Sequence, residues 1–225
     1  MIIVTGASRG LGRAVAVSLF KSGKEVVGLS RNITDCSFPT LTCDVTNSES
    51  VKAAYKQIKG FKQPVSALIN AAGVASMNLA LTTPIKTVEK IINTNLVGTI
   101  LTNQAFAPLI IRSGGGVIIN FSTIAVSIGL EGESVYVASK AGVEAFSRTF
   151  AREMSPFRVR VNCIAPGPID TDLTAGLDEK QIEAVVQRQI IQKKFQPENV
   201  AELVELLLDD RTNSITGQVL NVGGV

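Results

Sequence analysis

Ile2-Ile-Val-Thr5 followed by Gly6-Ala-Ser-Arg-Gly-Leu-Gly12 decides the fold. A short β-branched run passes straight into a turn with three glycines, and Val15, Leu19 and Phe20 then form one helical stripe that stops at Gly23. Strand, glycine turn and amphipathic helix in that order open a β-α-β unit. Such a turn can present backbone N–H groups and a helix N-terminus to a pyrophosphate. The glycines follow G-x-x-x-G-x-G rather than G-x-G-x-x-G, so the turn taken alone leaves a plain tight β-α connection as the alternative.

Outward from this stretch the same alternation continues. Apolar runs near Ile2 to Thr5, Glu25 to Ser30, Thr40 to Cys43, Ser66 to Asn70, Val117 to Phe121, Val159 to Ile164 and Gln218 to Val222 read as strands. Helical patterns separate them, which predicts an α/β fold: a Rossmann-type, doubly wound, parallel seven-stranded sheet with helices on both faces. Thr46-Asn-Ser-Glu49 fits a capping box ahead of Val51, Ala54, Tyr55 and Ile58. Pro84 suits the first turn of a long helix running through Asn95 toward Phe106, and Ser134 to Met154 reads as another. Asn32 to Pro39 is too short for a full crossover helix, whereas Thr171 to about Gln196 is long enough to form a lid. With no repeat and no Pro/Ser linker to divide it, the chain is expected to be a single domain over residues 1–225.

Composition narrows the function. Charged residues make up 18 % and apolar ones 45 %, a globular balance, and the net charge of +3 comes without any run of basic residues. Nucleic acid is therefore not an expected partner. No basic leader and no long apolar run speak for export or a membrane, and Cys36, Cys43 and Cys163 form no C-x-x-C pair, so a cytoplasmic location with reduced thiols is expected. The chain has no His at all. That removes the commonest general base and the commonest transition-metal ligand; no metal is expected, and proton chemistry falls to Tyr, Lys, Cys or a carboxylate.

Two places bear on ligand chemistry. At the end of the second strand, where an acidic residue would hold a ribose 2′-OH, stand Ser30 and Arg31. A 2′-phosphate fits better there, and Arg9 in the glycine turn can reach it from the other side; each Arg singly is also an ordinary solvated residue. The pair points to NADP(H). Tyr136-Val-Ala-Ser-Lys140 places a phenol and an ammonium on one helical face, and a cation beside a phenol favours the phenolate, which lowers its pKa. A surface pair at the same spacing would look identical.

Taken together, these residues resemble the short-chain dehydrogenase/reductase family in its small one-domain branch, most like the 3-oxoacyl-(acyl carrier protein) reductases. The resemblance covers essentially the whole chain, with motifs in the family's order. It implies cofactor contacts from the glycine turn (Gly6, Ser8, Arg9, Gly10, Leu11, Gly12), from Asp44-Val45 beside the adenine, and from Asn70-Ala71-Ala72-Gly73. Pro166-Gly167 with Ile169 and Thr171 would form the nicotinamide-side loop, and Ile215 to Gly224 the closing strand segment. Hydride would pass between C4 of the nicotinamide and the substrate carbon while Tyr136 exchanges the proton on the substrate oxygen. Lys140 would hold the ribose and depress the Tyr pKa, and Asn95 would carry protons onward through a helix distortion.

One position departs from the family. Its catalytic Ser stands thirteen residues before the Tyr, and here that residue is Thr123, with Ser122 one place earlier. On an extended strand only one of the two can face the substrate, and the hydroxyl capacity of Thr equals that of Ser. Thr123 is the expected third catalytic group; a one-residue insertion between Ile124 and Val135 would return the role to Ser122. The activity expected is NADP(H)-dependent interconversion of a carbonyl and an alcohol on a small-molecule or carrier-bound substrate, the alternative being a non-catalytic NADP(H)-binding redox sensor. The family also implies a homo-oligomer, tetramer or dimer, and Ala138, Ala141, Gly142 and Ala145 would permit close helix approach, though packing within one subunit accounts for them too.

Overall fold

The five inner strands are short, mostly apolar and covered on both faces, whereas the two edge strands are partly open, and this sets the layering. A computed structural model describes residues 1–32, 36–169 and 179–225. In chain order it contains β1 (Ile2–Thr5), α1 (Gly10–Lys21), β2 (Val26–Ser30), β3 (Thr40–Thr42), α2 (Ser48–Gly60), β4 (Ala67–Asn70) and α3 (Ile85–Ile92). There follow α4 (Gly98–Arg112), β5 (Gly116–Phe121), α5 (Ala125–Ile128), α6 (Ser134–Met154), β6 (Val159–Ala165), α7 (Glu179–Val186), α8 (Pro197–Leu208) and β7 (Val219–Asn221). The seven strands pair in parallel in the order β3-β2-β1-β4-β5-β6-β7. Strand order reverses between β1 and β4, and the crevice above such a reversal is where doubly wound sheets hold ligands.

Alternation along each strand divides the core. Ile2, Val4, Ile69 and Ile119 pack with Leu19 and Val204 under α1 and α8. On the other face Ile3, Leu68, Ile118 and Val161 meet Val51, Phe106 and Ile110 from α2 and α4. Truncating a side chain such as Ile118, which is fully buried, to Ala costs about 2 to 5 kcal/mol. Among the described residues no helix is long and apolar enough to cross a membrane.

Three local readings of the sequence are corrected. Asn47, not Thr46, caps α2, accepting from the N–H groups of Glu49 and Ser50 at 2.9 and 3.0 Å. The Thr46 hydroxyl instead points back to Asp44, donating to its Oδ1 at 2.7 Å. Pro84 precedes the first turn of α3 as its cap residue, where its fixed φ of −61° and lack of N–H are harmless. The single long helix expected from Pro84 toward Phe106 is instead α3 and α4 joined by a π-helical turn over Asn93–Val97. The link between β2 and β3 shows no helix in its described residues, as its length requires.

Candidate active site

The C-terminal ends of β1, β2, β4, β5 and β6 border one cleft. At its phosphate end the chain leaves β1 through Gly6 at φ +70° and Gly10 at φ +54°, in the left-handed region where glycine is unstrained. A Cβ on Gly6 would stand 2.9 Å from Ala72 Cα, and one on Gly12 2.5 Å from the Gly6 carbonyl oxygen. Glycine at these two positions brings the turn against Ala71 and Ala72 and the start of α1 to the cleft floor. That helix has no side-chain cap and no acidic residue in its first turn, so its N-terminus stays available to an anion. Ser8, Arg9 and Leu11 border the cleft with the three glycines.

Ser30 and Arg31 close the adenosine end, with Asp44 and Val45 opposite. The Ser30 hydroxyl donates to the Asn32 carbonyl, and the side chains of Arg9 and Arg31 are exposed. Among the described residues, the glycine turn and the β2 end bring these two cations and no carboxylate. Asp44 itself is occupied locally, accepting from the N–H and hydroxyl of Thr46. Ala71, Ala72 and Gly73 run along the cleft, and Pro166, Gly167 and Ile169 border it from β6. Thr171 lies outside the described residues.

Of residues 70–73, expected both to steady the sheet and to touch the cofactor, Asn70 does the first and does not border the cleft. Its side chain is 3 % exposed and turns between the sheet and the helices, donating to Asn120 Oδ1 at 2.8 Å and accepting from the Thr102 hydroxyl at 2.8 Å. Asn120 in turn donates to the Ser147 hydroxyl at 2.8 Å. This buried network ties β4, β5, α4 and α6 together beneath the cleft. Asn95 is also fully buried: it accepts from Val74 N at 2.8 Å and donates to Val74 O at 2.9 Å and Ser139 Oγ at 3.0 Å. The π-turn is what carries Asn95 inward to lock this strand-following loop.

At the reacting end stand Tyr136 and Lys140, 7 % and 5 % exposed, on consecutive turns of α6. Lys140 Nζ donates to the Phe121 carbonyl at 2.8 Å and lies 6.0 Å from the Tyr136 ring centroid. Thr123 and Tyr136 border the same end of the cleft, the Thr123 hydroxyl close enough to the phenol to favour its ionised form. Ser122 is engaged elsewhere, donating to Glu144 Oε1 at 2.6 Å. The expected lowering of the Tyr136 pKa by Lys140 does not hold in the ligand-free chain. Burial, seconded by the nearby Glu133, pushes the phenol above its ordinary range against the opposing Thr123 hydroxyl. Burial also pulls Lys140 down to about 8, opposed by Cys163. Lys140 brings no opposing pull here, because with its own pKa drawn down to about 8 it has lost its charge by the pH at which the phenol ionises.

Several residues at the site were not singled out from sequence. Thr94, Val74, Cys43 and Thr46 border the cleft. Thr46 had a signal in following Asp44-Val45, and Glu144 had one in continuing the four-residue spacing of Tyr136 and Lys140.

A family model described as enoyl-(acyl carrier protein) reductase matches residues 6–224. The chain belongs to the short-chain dehydrogenase/reductase family. It is 38 % identical over 234 residues to carbonyl reductase family member 4 of Danio rerio, covering 100 % of this chain and 96 % of that protein. With a 3-oxoacyl-(acyl-carrier-protein) reductase of Vibrio cholerae it shares 32 % identity over 231 residues, 99 % of this chain and 95 % of the other. The ligand-free aldohexose dehydrogenase of Thermoplasma acidophilum superposes with a TM-score of 0.90 at 32 % identity, covering 99 % of this chain and 92 % of that one. Members of the short-chain dehydrogenase/reductase family are oxidoreductases acting on carbonyl and hydroxyl groups with a nicotinamide cofactor.

Proposed function

We propose that this short-chain dehydrogenase/reductase uses NADP(H) to reduce a carbonyl to an alcohol, or the reverse, with Tyr136 as general acid/base. The observation that carries the reading is the convergence of Thr123, Tyr136 and Lys140 at one end of a cleft whose other end offers an uncapped helix N-terminus, Arg9 and Arg31. Bound NADPH supplies the hydride. Tyr136 donates its proton to the substrate oxygen, and the Thr123 hydroxyl holds that oxygen where charge develops. A phenol kept protonated by burial is in the correct state for this donation. Lys140 orients the ribose and, with its ammonium so redirected, favours the phenolate after transfer; Asn95, held by Val74 and Ser139, shapes the outward proton route. Arg9 and Arg31 select the 2′-phosphate, and Pro166, Gly167, Ile169 and Thr171 hold the nicotinamide side.

The substrate class is open among carbonyls, and a panel of simple aldehydes and ketones, aldoses and 3-oxoacyl thioesters followed by NADPH absorbance tests the activity. Tight NADPH binding with no oxidation by any of them would favour a redox sensor instead. A homo-oligomer is also proposed, through the exposed Ala138 and Ala145 of α6. Gly142 has a use within the chain: a Cβ there would stand 2.9 Å from Leu96 Cδ2. Light scattering that gave a mass near 23.8 kDa would remove the oligomer from this proposal.

A further inference from the structure

Phe121, Ser122 and Thr123 are consecutive, and the first two are fastened to successive turns of α6. The Phe121 carbonyl accepts from Lys140 Nζ at 2.8 Å and the Ser122 hydroxyl donates to Glu144 Oε1 at 2.6 Å, while Thr123 shares one end of the cleft with Tyr136. Tyr136, Lys140 and Glu144 follow one another at four-residue spacing on a single helical face. Glu144 is thus the third member of the Tyr-Lys stripe, placed one turn beyond the lysine and away from the reacting atoms.

Its surroundings are costly for a carboxylate. Glu144 is 9 % exposed and Ser122 4 %, and Arg148, its ion-pair partner, stands 3.7 Å from Oε2 with a half-exposed side chain. The Cys163 thiol lies close by, pushed up to about 11 by burial. A buried charge with a single short bond and a loose ion pair adds little net stability, and an apolar residue of the same size would serve the core as well. What the carboxylate does supply is direction. The ladder with β6 persists to Ser122, whose N–H donates to Ile164 O at 2.7 Å, and the chain turns immediately afterwards, with Ala125 N–H bonded to Thr123 Oγ1 at 3.2 Å. Pinning Ser122 to α6 at this last ladder position fixes which way Thr123 leaves the strand. The same bond also keeps the Ser122 hydroxyl from competing for the tyrosine.

We infer that Glu144 is a positioning residue: acting through Ser122, it sets the end of β5 on α6 so that the Thr123 hydroxyl meets Tyr136. This rests on the proposed reading of Thr123 and Tyr136 as the groups that handle the substrate oxygen. The test measures kcat, KM and NADPH affinity for Glu144→Ala, Glu144→Gln and Ser122→Ala, in the native chain and in a Thr123→Val background. Glu144→Ala is expected to lower kcat on the order of tenfold to a hundredfold, as small misplacements of reacting groups do, with NADPH affinity unchanged. Glu144→Gln keeps an acceptor for Ser122 and should restore most of that loss. In the Thr123→Val background Glu144→Ala should cost nothing further, because the group it positions is gone. Should Glu144→Ala fail to fold, Ser122→Ala removes the same bond by deleting one oxygen and carries the test, with a reduced kcat expected. Native kcat in Glu144→Ala, a Gln variant as impaired as the Ala variant, or an equal further loss in the Thr123→Val background would each overturn the inference. With Thr123→Val itself impaired, those results sink the inference alone. A fully active Thr123→Val sinks the functional reading and this inference with it.

Discussion

Lys140 makes the unliganded fold less stable, and the size of that effect follows from its burial. Its ammonium is 5 % exposed with one carbonyl partner, and loss of solvent pulls its pKa from the ordinary 10.5 to about 8. The folded chain therefore holds this proton less tightly than the unfolded chain does. The penalty is fully present below about pH 8 and fades as pH rises toward 10.5. At about 1.4 kcal/mol per pKa unit it amounts to about 3 kcal/mol at its greatest. Between about pH 7 and about pH 9.5 roughly 2 kcal/mol of it should be regained. Urea unfolding of the cofactor-free protein at those two pH values, for the native chain and for Lys140→Met, isolates this contribution. Other titrating groups are common to both proteins, and the Phe121 carbonyl orphaned in the variant gives an offset that does not vary with pH. The native chain should gain about 2 kcal/mol on the variant over this range. Parallel pH dependence of the two would refute the reasoning.

Tyr136→Phe should abolish turnover while NADPH still binds, as read by nucleotide fluorescence; substantial residual activity would rule out the proposed acid/base. Thr123→Val should lower kcat by about 10² to 10³, the usual cost of a lost oxyanion-type donor, and by more than Ser122→Ala does. The opposite ranking would hand the role to Ser122. Removing the Arg31 guanidinium should cost NADPH about 1.5 to 3 kcal/mol, or about tenfold to more than a hundredfold in affinity, and leave NADH unaffected. Equal catalytic efficiency of the native protein with both cofactors counts against the 2′-phosphate site. Because burial raises the Tyr136 pKa, carbonyl reduction should hold steady through neutral pH and alcohol oxidation should climb toward alkaline pH. An oxidation rate flat from about pH 7 to about pH 10 contradicts that state of the phenol.

Parallel strands buried on both faces read as continuous apolar runs, which is why the five inner strands were legible; the edge strands β3 and β7, partly exposed, were placed by their position in the alternation, and all seven ends shifted by only a residue or two. The pairing of Tyr136 with Lys140 was legible as well, since a helix dictates what lies four residues on. Quantities set by tertiary surroundings were not. Asn70 follows an apolar strand and precedes Ala71-Ala72-Gly73, so nothing local says that its amide turns away from the cleft toward Asn120 and Thr102. The direction of the Tyr136 pKa depends on how much solvent is lost and on whether the lysine keeps its charge, neither of which the spacing encodes. At Thr46 and Asn47 two good capping residues adjoin, and which of them meets the helix N–H groups depends on how the chain leaves Asp44, to which Thr46 is turned.

The π-turn over Asn93–Val97 has a further consequence for the helix that follows it. A π-turn closes its hydrogen bonds one residue further along than an α-turn does and takes up the surplus residue as a local bulge. Ile91 and Asn95 before or within the turn, and Thr102, Phe106 and Ile110 after it, therefore keep one buried face across it. What the turn requires is a residue count rather than a particular chemistry at its exposed members. A shorter side chain at Val97, which is 37 % exposed, leaves that count intact. Deleting the same residue would take the surplus out of the turn, so that the change falls on Asn95 and its bonds to Val74: in this stretch the chain tolerates spelling changes but not a dropped letter.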